Sequence, residues 1–276
     1  MIVRSGGSVS TAVSYTPRPS ESLHWYKQDG SPAYEVEAAK GGMRPTTLRD
    51  ARKIGLVPSV TSIIRCAAAP GLERWKQEQV LMAALTLSRK PNEPEPEYIA
   101  RIIRDSQEQG RKAAERGTAI HAAIQGHYEG KPPALDYWPH VRATELEVGL
   151  RFGAVCEWIP EAAFAHPLGF GGKCDLHAKI AEHVVIDFKT KEFDAETELK
   201  AWDEHAMQLA AYRVGLGLPT ARGAIVYVSS SVPGVVRIIE INSTTLNAGW
   251  EMFSSLLRYW QAKTGYASAF GEKQAA

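Results

Sequence analysis

The chain has 276 residues, 44% of them hydrophobic and 23% charged, which excludes wholesale disorder and allows a sizeable buried core. Its 32 basic and 31 acidic side chains give a net charge of +1, which excludes nucleic-acid binding through an overall basic surface and leaves only local patches. The three cysteines (Cys66, Cys156 and Cys174) are far apart and form no CxxC pair. We therefore expect buried, reduced thiols rather than a disulfide framework or a metal cluster.

The N-terminal region predicts an irregular arm. Residues 1–55 are rich in Ser, Gly, Pro and Thr, and one or two short strands are expected there beside aromatic islands such as His24-Trp25-Tyr26. The first residues lack the apolar core of a signal peptide, and no window approaches the ~18 apolar residues of a membrane span. The sequence thus predicts a soluble, cytoplasmic protein, located in the host cytoplasm if a phage encodes it.

Apolar residues at helical spacing predict six helices. Their expected ranges, in chain order, are about 59–67, 72–85, 97–128, 137–152, 196–216 and 244–264. The first is expected to begin at the hydroxyl cap of Ser59. Three prolines between Arg89 and Glu97 predict a loop that is neither helix nor central strand.

Short runs bounded by turn residues predict five strands. Their expected ranges are 161–166, 172–180, 183–190, 223–230 and 235–242. The order of elements is helices, antiparallel strands, a helix, a strand hairpin and a closing helix. This order predicts an α+β or mixed α/β domain with helices packed on a central sheet.

Two of the predicted strands carry the residues that indicate chemistry. Asp175 ends one strand, and twelve residues later the next strand offers Asp187 and Lys189. Residues two apart on a strand point to the same face, so these two side chains should project side by side. Pairing of the strands can bring Asp175 next to them.

Two carboxylates and a lysine at one point are costly unless a cation compensates the negative charge. Mg²⁺ fits because it takes oxygen ligands and keeps several waters, and the carbonyl of Phe188 is a plausible third ligand. The ion would make water a better nucleophile and stabilise a phosphoryl oxygen. The lysine can orient or deprotonate that water.

Each of these signals has a more ordinary interpretation. An Asp-x-Lys pair is usually a solvated charge pair, and a lone histidine such as His121, which follows Arg116-Gly-Thr-Ala-Ile, is more often structural. Gln208 and Tyr212 share a helix face four residues apart. Such a pair is commonly a half-buried tyrosine beside a surface glutamine.

In chain order, the motifs RGTAIH, Glu161, GGKCD, DFKT and QLAAY resemble the RecB-type branch of the PD-(D/E)XK nuclease superfamily, over roughly residues 110–215. The segments VPSVTSII and PGLERW further resemble phage-encoded and mitochondrial single-strand exonucleases of that branch. The resemblance implies a restriction-endonuclease-like core over residues 96–276, with a central mixed sheet flanked by helices. Residues 1–95 would form an N-terminal arm and helical region packed on that core.

The resemblance also implies roles for individual residues. Asp175 and Asp187 would bind the metal, Lys189 would be the catalytic lysine, and His121 would be a further ligand or a phosphate contact. Gln208 and Tyr212 would support the site and touch the substrate, and Glu161 matches the acidic residue that often opens the first core strand. Arg116, on the basic helix that leads to His121, is a candidate DNA contact. The expected cofactor is Mg²⁺ or Mn²⁺, without an iron–sulfur cluster, because the four cysteines of such a cluster are absent.

The leading hypothesis is a DNA exonuclease of phage type that acts in recombination, repair or end-processing. The alternatives are a structure-selective endonuclease or nickase and a catalytically silent DNA-binding module. The expected partner is DNA, as single strands or duplex ends, and not a membrane. A recombination or single-strand-binding protein as partner and a homo-oligomer stay open.

Overall fold

The computed structural model describes residues 24–153, 157–178 and 183–266. Residues 24–55 contain three short strands and a helix rather than one or two strands. They are β1 (Trp25–Tyr26), β2 (Glu35–Glu37), β3 (Met43–Pro45) and α1 (Leu48–Ile54), and β4 (Val57–Pro58) and α2 (Val60–Ile64) follow. Helix α2 begins after Ser59, whose hydroxyl accepts a hydrogen bond from Ser62 N, as predicted. Helix α1 was not predicted, because its start depends on a reciprocal cap between Thr47 and Asp50 and one and a half turns show no clear period.

Three further helices follow. They are α3 (Pro70–Thr86), α4 (Glu95–Tyr128) and α5 (Trp138–Phe152). Helix α4 begins two residues earlier than predicted, inside the expected loop, because a proline is tolerated in the first helical turn, where its missing N–H would have no partner. Arg101 of α4 forms a two-point ion pair with Glu93, which fixes the connection between α3 and α4.

The central sheet and its two remaining helices occupy the rest of the chain. They are β5 (Trp158–His166), β6 (Phe170–Ala178), β7 (Val184–Lys191), α6 (Asp203–Gly215), β8 (Arg222–Ser229), β9 (Val236–Ile241) and α7 (Ser243–Thr264). The spatial order follows the chain order, and every pair is antiparallel except β7 and β8, which run parallel with α6 as the crossover. The predicted class, a mixed central sheet flanked by helices, is confirmed.

Helix α6 is shorter than predicted. Residues 196–202 are not helical, although their composition suits a helix. The Asp194 carboxylate accepts hydrogen bonds from the backbone N–H groups of Glu196 and Thr197, which holds the chain in a turn. The helix therefore starts only after Trp202.

Apolar side chains fill both faces of the sheet. One face packs on α6, α7 and the N-terminal elements, whose Trp25 and Ile63 are completely buried in the same cluster as Leu209. The other face packs on α4 and α5. The described part of the arm thus contributes side chains to the hydrophobic core on this face of the sheet. Cys174 is a buried free thiol and Cys66 is partly exposed, whereas Cys156 and residues 1–23 lie outside the described residues.

Strands β6 and β7 pair over only part of their length. Their register runs from Ala178 opposite Val184 to Leu176 opposite Ile186, and the strands separate beyond that point. Further along β6, Gly171 bridges instead to Ser59, just after β4. We call the place where the two strands part the fork. Asp175 is the first residue of β6 past it.

Within the described ranges, no helix is both long enough and apolar enough to cross a membrane.

The close contact between α6 and α7 requires a residue without a side chain at Gly249. A Cβ atom at this position would lie 2.5 Å from the carbonyl oxygen of Ala206, closer than packing allows. We expect Gly249→Ala to lower the free energy of unfolding by about 1–3 kcal/mol in urea titrations, because the helices must move apart. Gly71→Ala is the matched control: no atom lies within 4 Å of its Cβ position, so we expect a neutral or slightly stabilising effect. Equal stabilities for both variants would contradict the close approach.

Candidate active site

Asp175 closes the fork with its side chain. Its Oδ2 accepts a hydrogen bond of 2.8 Å from the backbone N–H of Phe188, on the neighbouring strand. Because β6 has left the ladder here, that N–H has no carbonyl partner on β6, and the carboxylate takes its place. The same oxygen lies 3.1 Å from Nε2 of His121 on α4. The fork thus brings residues from two strands and one helix to one point.

Asp187 and Lys189 project from β7 to the same side, as the strand period predicted. Lys189 Nζ lies 2.6 Å from Asp187 Oδ2. This contact is an ion pair without hydrogen-bond geometry, since Oδ2 has no hydrogen-bond partner although it is buried. The Asp187 side chain is 1% exposed and that of Lys189 is 34% exposed. The lysine therefore reaches from a buried carboxylate toward solvent.

Gln208 of α6 ties these two side chains together. Its Nε2 donates to Asp187 Oδ1 at 2.6 Å and to the Tyr212 hydroxyl at 2.9 Å, while its Oε1 accepts from Lys189 Nζ at 3.2 Å. Gln208 and Tyr212 are both buried, so they stand behind the carboxylate rather than on the open side. Their geometry suits them to hold Asp187 and Lys189 in place.

The site concentrates negative charge in a desolvated place. Burial raises the pKa of Asp187 to about 6; the Asp175 carboxylate adds to this rise and Lys189 opposes it. For His121, burial lowers the pKa, but the hydrogen bond and charge of Asp175 outweigh this and the net direction is upward. Burial also lowers the pKa of Lys189, and here the charge of Asp187 outweighs it, so the ammonium is retained at neutral pH. Two carboxylates face the site, and additional positive charge would be favourable there.

A glycine allows α4 to approach the site. A Cβ atom on Gly117 would lie 2.5 Å from Oγ1 of Thr190 at the end of β7. The missing side chain lets the helix lie directly on the strand, and His121, one turn later, then reaches Asp175. Thr190 belongs to the DFKT motif, but no local pattern predicts its contact with α4, because that contact depends on how the helix docks on the strand.

Of the two remaining candidate residues, Glu161 borders the cluster and Arg116 lies on the surface of α4. Glu161 lies on β5 across from Asp175, between the Pro160–Leu176 and Ala162–Cys174 pairs, but its backbone is left-handed (φ 54°) and its carboxylate forms an ion pair with Lys173. Arg116 is exposed on α4. The pKa of His140 is lowered mainly by burial, and the charge of Arg116 adds to this effect. The side chain of Phe188 is buried on the α4 side of the sheet, so only its backbone faces the fork.

A cavity of about 770 Å³ opens beside His121. Its walls come from α3, α4 and the end of β7, and they include Trp75, Gln79, Thr118 and Lys191. The tip of the Trp75 ring lies against Gly110 of α4 (3.2 Å to the position a Cβ would take), and the side chain is 44% exposed. Helices α3 and α4 therefore form a wall of the space beside His121.

No protein-family model matches this chain, and no curated protein is significantly similar to it in sequence. Solved structures with a related arrangement include a protein from Eubacterium rectale described as an exonuclease, at 13% identity and a TM-score of 0.39, over 54% of this chain and 68% of that one. The alkaline exonuclease LHK-Exo from Laribacter hongkongensis gives 16% identity and a TM-score of 0.28, over 70% of this chain and 98% of that one. Its complex with dAMP gives 15% and 0.33, over 68% and 88%. Structural similarity at this level does not identify an activity for this chain.

Proposed function

We propose that this protein is a metal-dependent nuclease that hydrolyses DNA phosphodiesters from a strand end. One observation supports the proposal most strongly: the fork gathers Asp175, Asp187 and Lys189 beside His121, which lines a cavity. A solvated surface pair would not be 1% exposed at its carboxylate, nor held from behind by Gln208 and Tyr212. The cluster has a desolvation cost, and a catalytic role accounts for it.

The residues present fit a divalent cation. Within the described residues no three His, Cys, Asp or Glu side chains form a ready cage, but Mg²⁺ is commonly held by one or two carboxylates and keeps several waters. Asp187 Oδ2 is buried against Lys189 Nζ, and burial together with the nearby Asp175 raises the pKa of this carboxyl despite that ion pair. The N–H of Phe188 points to Asp175, and because the N–H and C=O of one strand residue point the same way, its carbonyl also faces the fork. Asp175, Asp187 and this carbonyl would hold the ion.

The remaining catalytic roles would fall to side chains of the protein. A bound Mg²⁺ would supply activation of the attacking water and charge stabilisation at the phosphoryl oxygen. Lys189 keeps its proton beside Asp187, so we assign it to offset negative charge on the phosphoryl group rather than to act as a base. His121 Nε2 is engaged with Asp175 Oδ2, so we assign it to orient that carboxylate and contact a phosphate.

The role of His121 can be tested directly. We expect His121→Ala to reduce cleavage at saturating Mg²⁺ by about 10²-fold or more, as for other positioned groups at a phosphoryl site. His127→Ala is the matched control on the same helix, since His127 pairs with Glu145 at 3.6 Å and away from the fork. A loss of melting temperature without a loss of specific activity in the folded fraction would show that His121 has only a packing role.

The position of α3 and α4 beside His121 favours the exonuclease over the endonuclease. An endonuclease must accept DNA without an end, whereas elements on more than one side, α3, α4 and the end of β7, line the 770 Å³ cavity. We expect end-labelled linear single strands to be degraded at least about tenfold faster than covalently closed circles. The measurement is a gel time course with Mg²⁺ on matched linear and circular substrates. Equal rates would favour the endonuclease or nickase, and no cleavage of either substrate would favour the silent binding module.

A further inference from the structure

A second, smaller cavity lies on the other side of the end of β7. Its volume is about 250 Å³, and it is bounded by the end of β7 and by residues that precede and begin α6. Lys191 and Thr190 line both cavities, so the last residues of β7 form a ridge between them. His121 lines the larger cavity and Lys189 the smaller one. His121 and Lys189 thus border two separate spaces, of which the proposed function uses only the larger.

The wall of the smaller cavity combines an aromatic surface with cations. Trp202 is 59% exposed there, which is unusual for so large an apolar ring. Lys191 and Lys200 lie beside it, against a single acidic residue, Glu204. An exposed ring with neighbouring ammonium groups is the arrangement by which proteins hold nucleotides without reading their sequence.

The wall is also held in a defined shape. The Tyr227 hydroxyl donates to the carbonyl of Lys200 at 3.0 Å, which ties the segment before α6 to β8. The backbone N–H of Trp202 donates to His205 Nδ1 at 2.9 Å. That bond leaves the ring proton on Nε2, and burial together with the nearby Lys189 lowers the pKa of His205 to about 4. The histidine thus adds a neutral donor to the wall.

We propose that this smaller cavity binds the nucleotide on the leaving side of the scissile phosphate, with its base on Trp202 and its phosphate near Lys191 and Lys200. This inference rests on the proposed nuclease function. Size limits the occupant to one nucleotide: the volume of 250 Å³ lies just below the range of about 300–1,000 Å³ typical of small-ligand sites, whereas the larger cavity has room for the remaining strand. Release would then proceed in units of about one nucleotide.

The test is direct binding of thymidine 5′-monophosphate in EDTA, measured by isothermal titration calorimetry on the full chain. We expect Trp202→Ala to raise the Kd at least about fivefold, the lower end of what one stacked base contributes, and Trp202→Phe to retain most of the affinity. Trp138→Ala is the matched control, because Trp138 is similarly exposed (45%) on α5. Lys200→Gln should flatten the salt dependence of the Kd, and Lys53→Gln should not.

Equal Kd values for the wild type and Trp202→Ala, or no binding by the wild type at millimolar nucleotide, would overturn the inference. So would a loss of affinity in Trp202→Phe as large as in Trp202→Ala, because it would mean that stacking is not what holds the base. Cleavage of DNA by the wild type is measured separately. Nucleotide binding at Trp202 without cleavage would therefore disprove the proposed function and leave the binding site standing, whereas cleavage with no effect of Trp202 would do the reverse.

Discussion

Replacing Asp187 by Asn should abolish DNA cleavage, with an expected loss on the order of 10³-fold or more at saturating Mg²⁺. Asparagine has nearly the same shape, so the change removes the charge at Oδ2 and leaves the packing of this buried residue intact. It also removes the ion pair that holds Lys189 at 2.6 Å. The metal ligand and the position of the lysine would thus be lost together. Asp175→Asn should act similarly through the other carboxylate.

The measurement is the initial rate on an end-labelled single strand, with thermal melting to confirm the fold. Glu240→Gln is the control, since Glu240 is a partly buried carboxylate that pairs with Arg222 on the far side of the sheet. EDTA should eliminate activity in the wild type, and Mn²⁺ should restore it at least as well as Mg²⁺. Retention of more than about a tenth of the wild-type rate in Asp187→Asn would contradict the assignment, since it corresponds to only ~1.4 kcal/mol of barrier.

Replacing Lys189 by Met should lower the turnover rate by about 10²- to 10³-fold, because one preorganised charge at a developing phosphoryl anion contributes this much. Methionine keeps most of the length of the stem and removes the ammonium. The loss should appear in kcat rather than in KM, since the interaction strengthens in the transition state. The buried Asp187 would lose its ion-pair partner, so a lower melting temperature is expected in EDTA, with partial recovery in Mg²⁺.

Arg222→Met is the matched control for this variant. Arg222 has a similar side-chain exposure, 32%, and pairs with a carboxylate at the same distance of 2.6 Å, that of Glu240 on the far side of the sheet. If the nuclease chemistry depends on the fork, only the Lys189 variant should lose turnover. An equal loss in both variants would contradict a specific role of the fork lysine, and no loss in either would remove the lysine from the mechanism.

Local sequence signals predicted the features that depend on short-range geometry. The cap at Ser59 and the proline-rich break before α4 marked helix boundaries to within a few residues. The two-residue period of a strand placed Asp187 and Lys189 on one face, which the 2.6 Å ion pair confirms. These features can be predicted from the sequence because each depends on residues that are only a few positions apart.

Long-range pairing decided the rest of the site. The parallel pairing of β7 with β8, the fork that frees the Phe188 N–H for Asp175, and the hydrogen bond of Gln208 to Asp187 each join residues that are 13 to 38 positions apart. The left-handed backbone of Glu161, which turns its carboxylate to Lys173, leaves no mark on an ordinary strand pattern.

The sequence by itself therefore determined which residues are candidates for the chemistry and which elements they lie on, because periodicity and capping are local. Only the tertiary structure decided which of them meet, because strand register and helix docking are set by burial of the whole core. The same packing placed Trp202 and the lysines beside the second cavity, where no spacing in the sequence connects them to the fork.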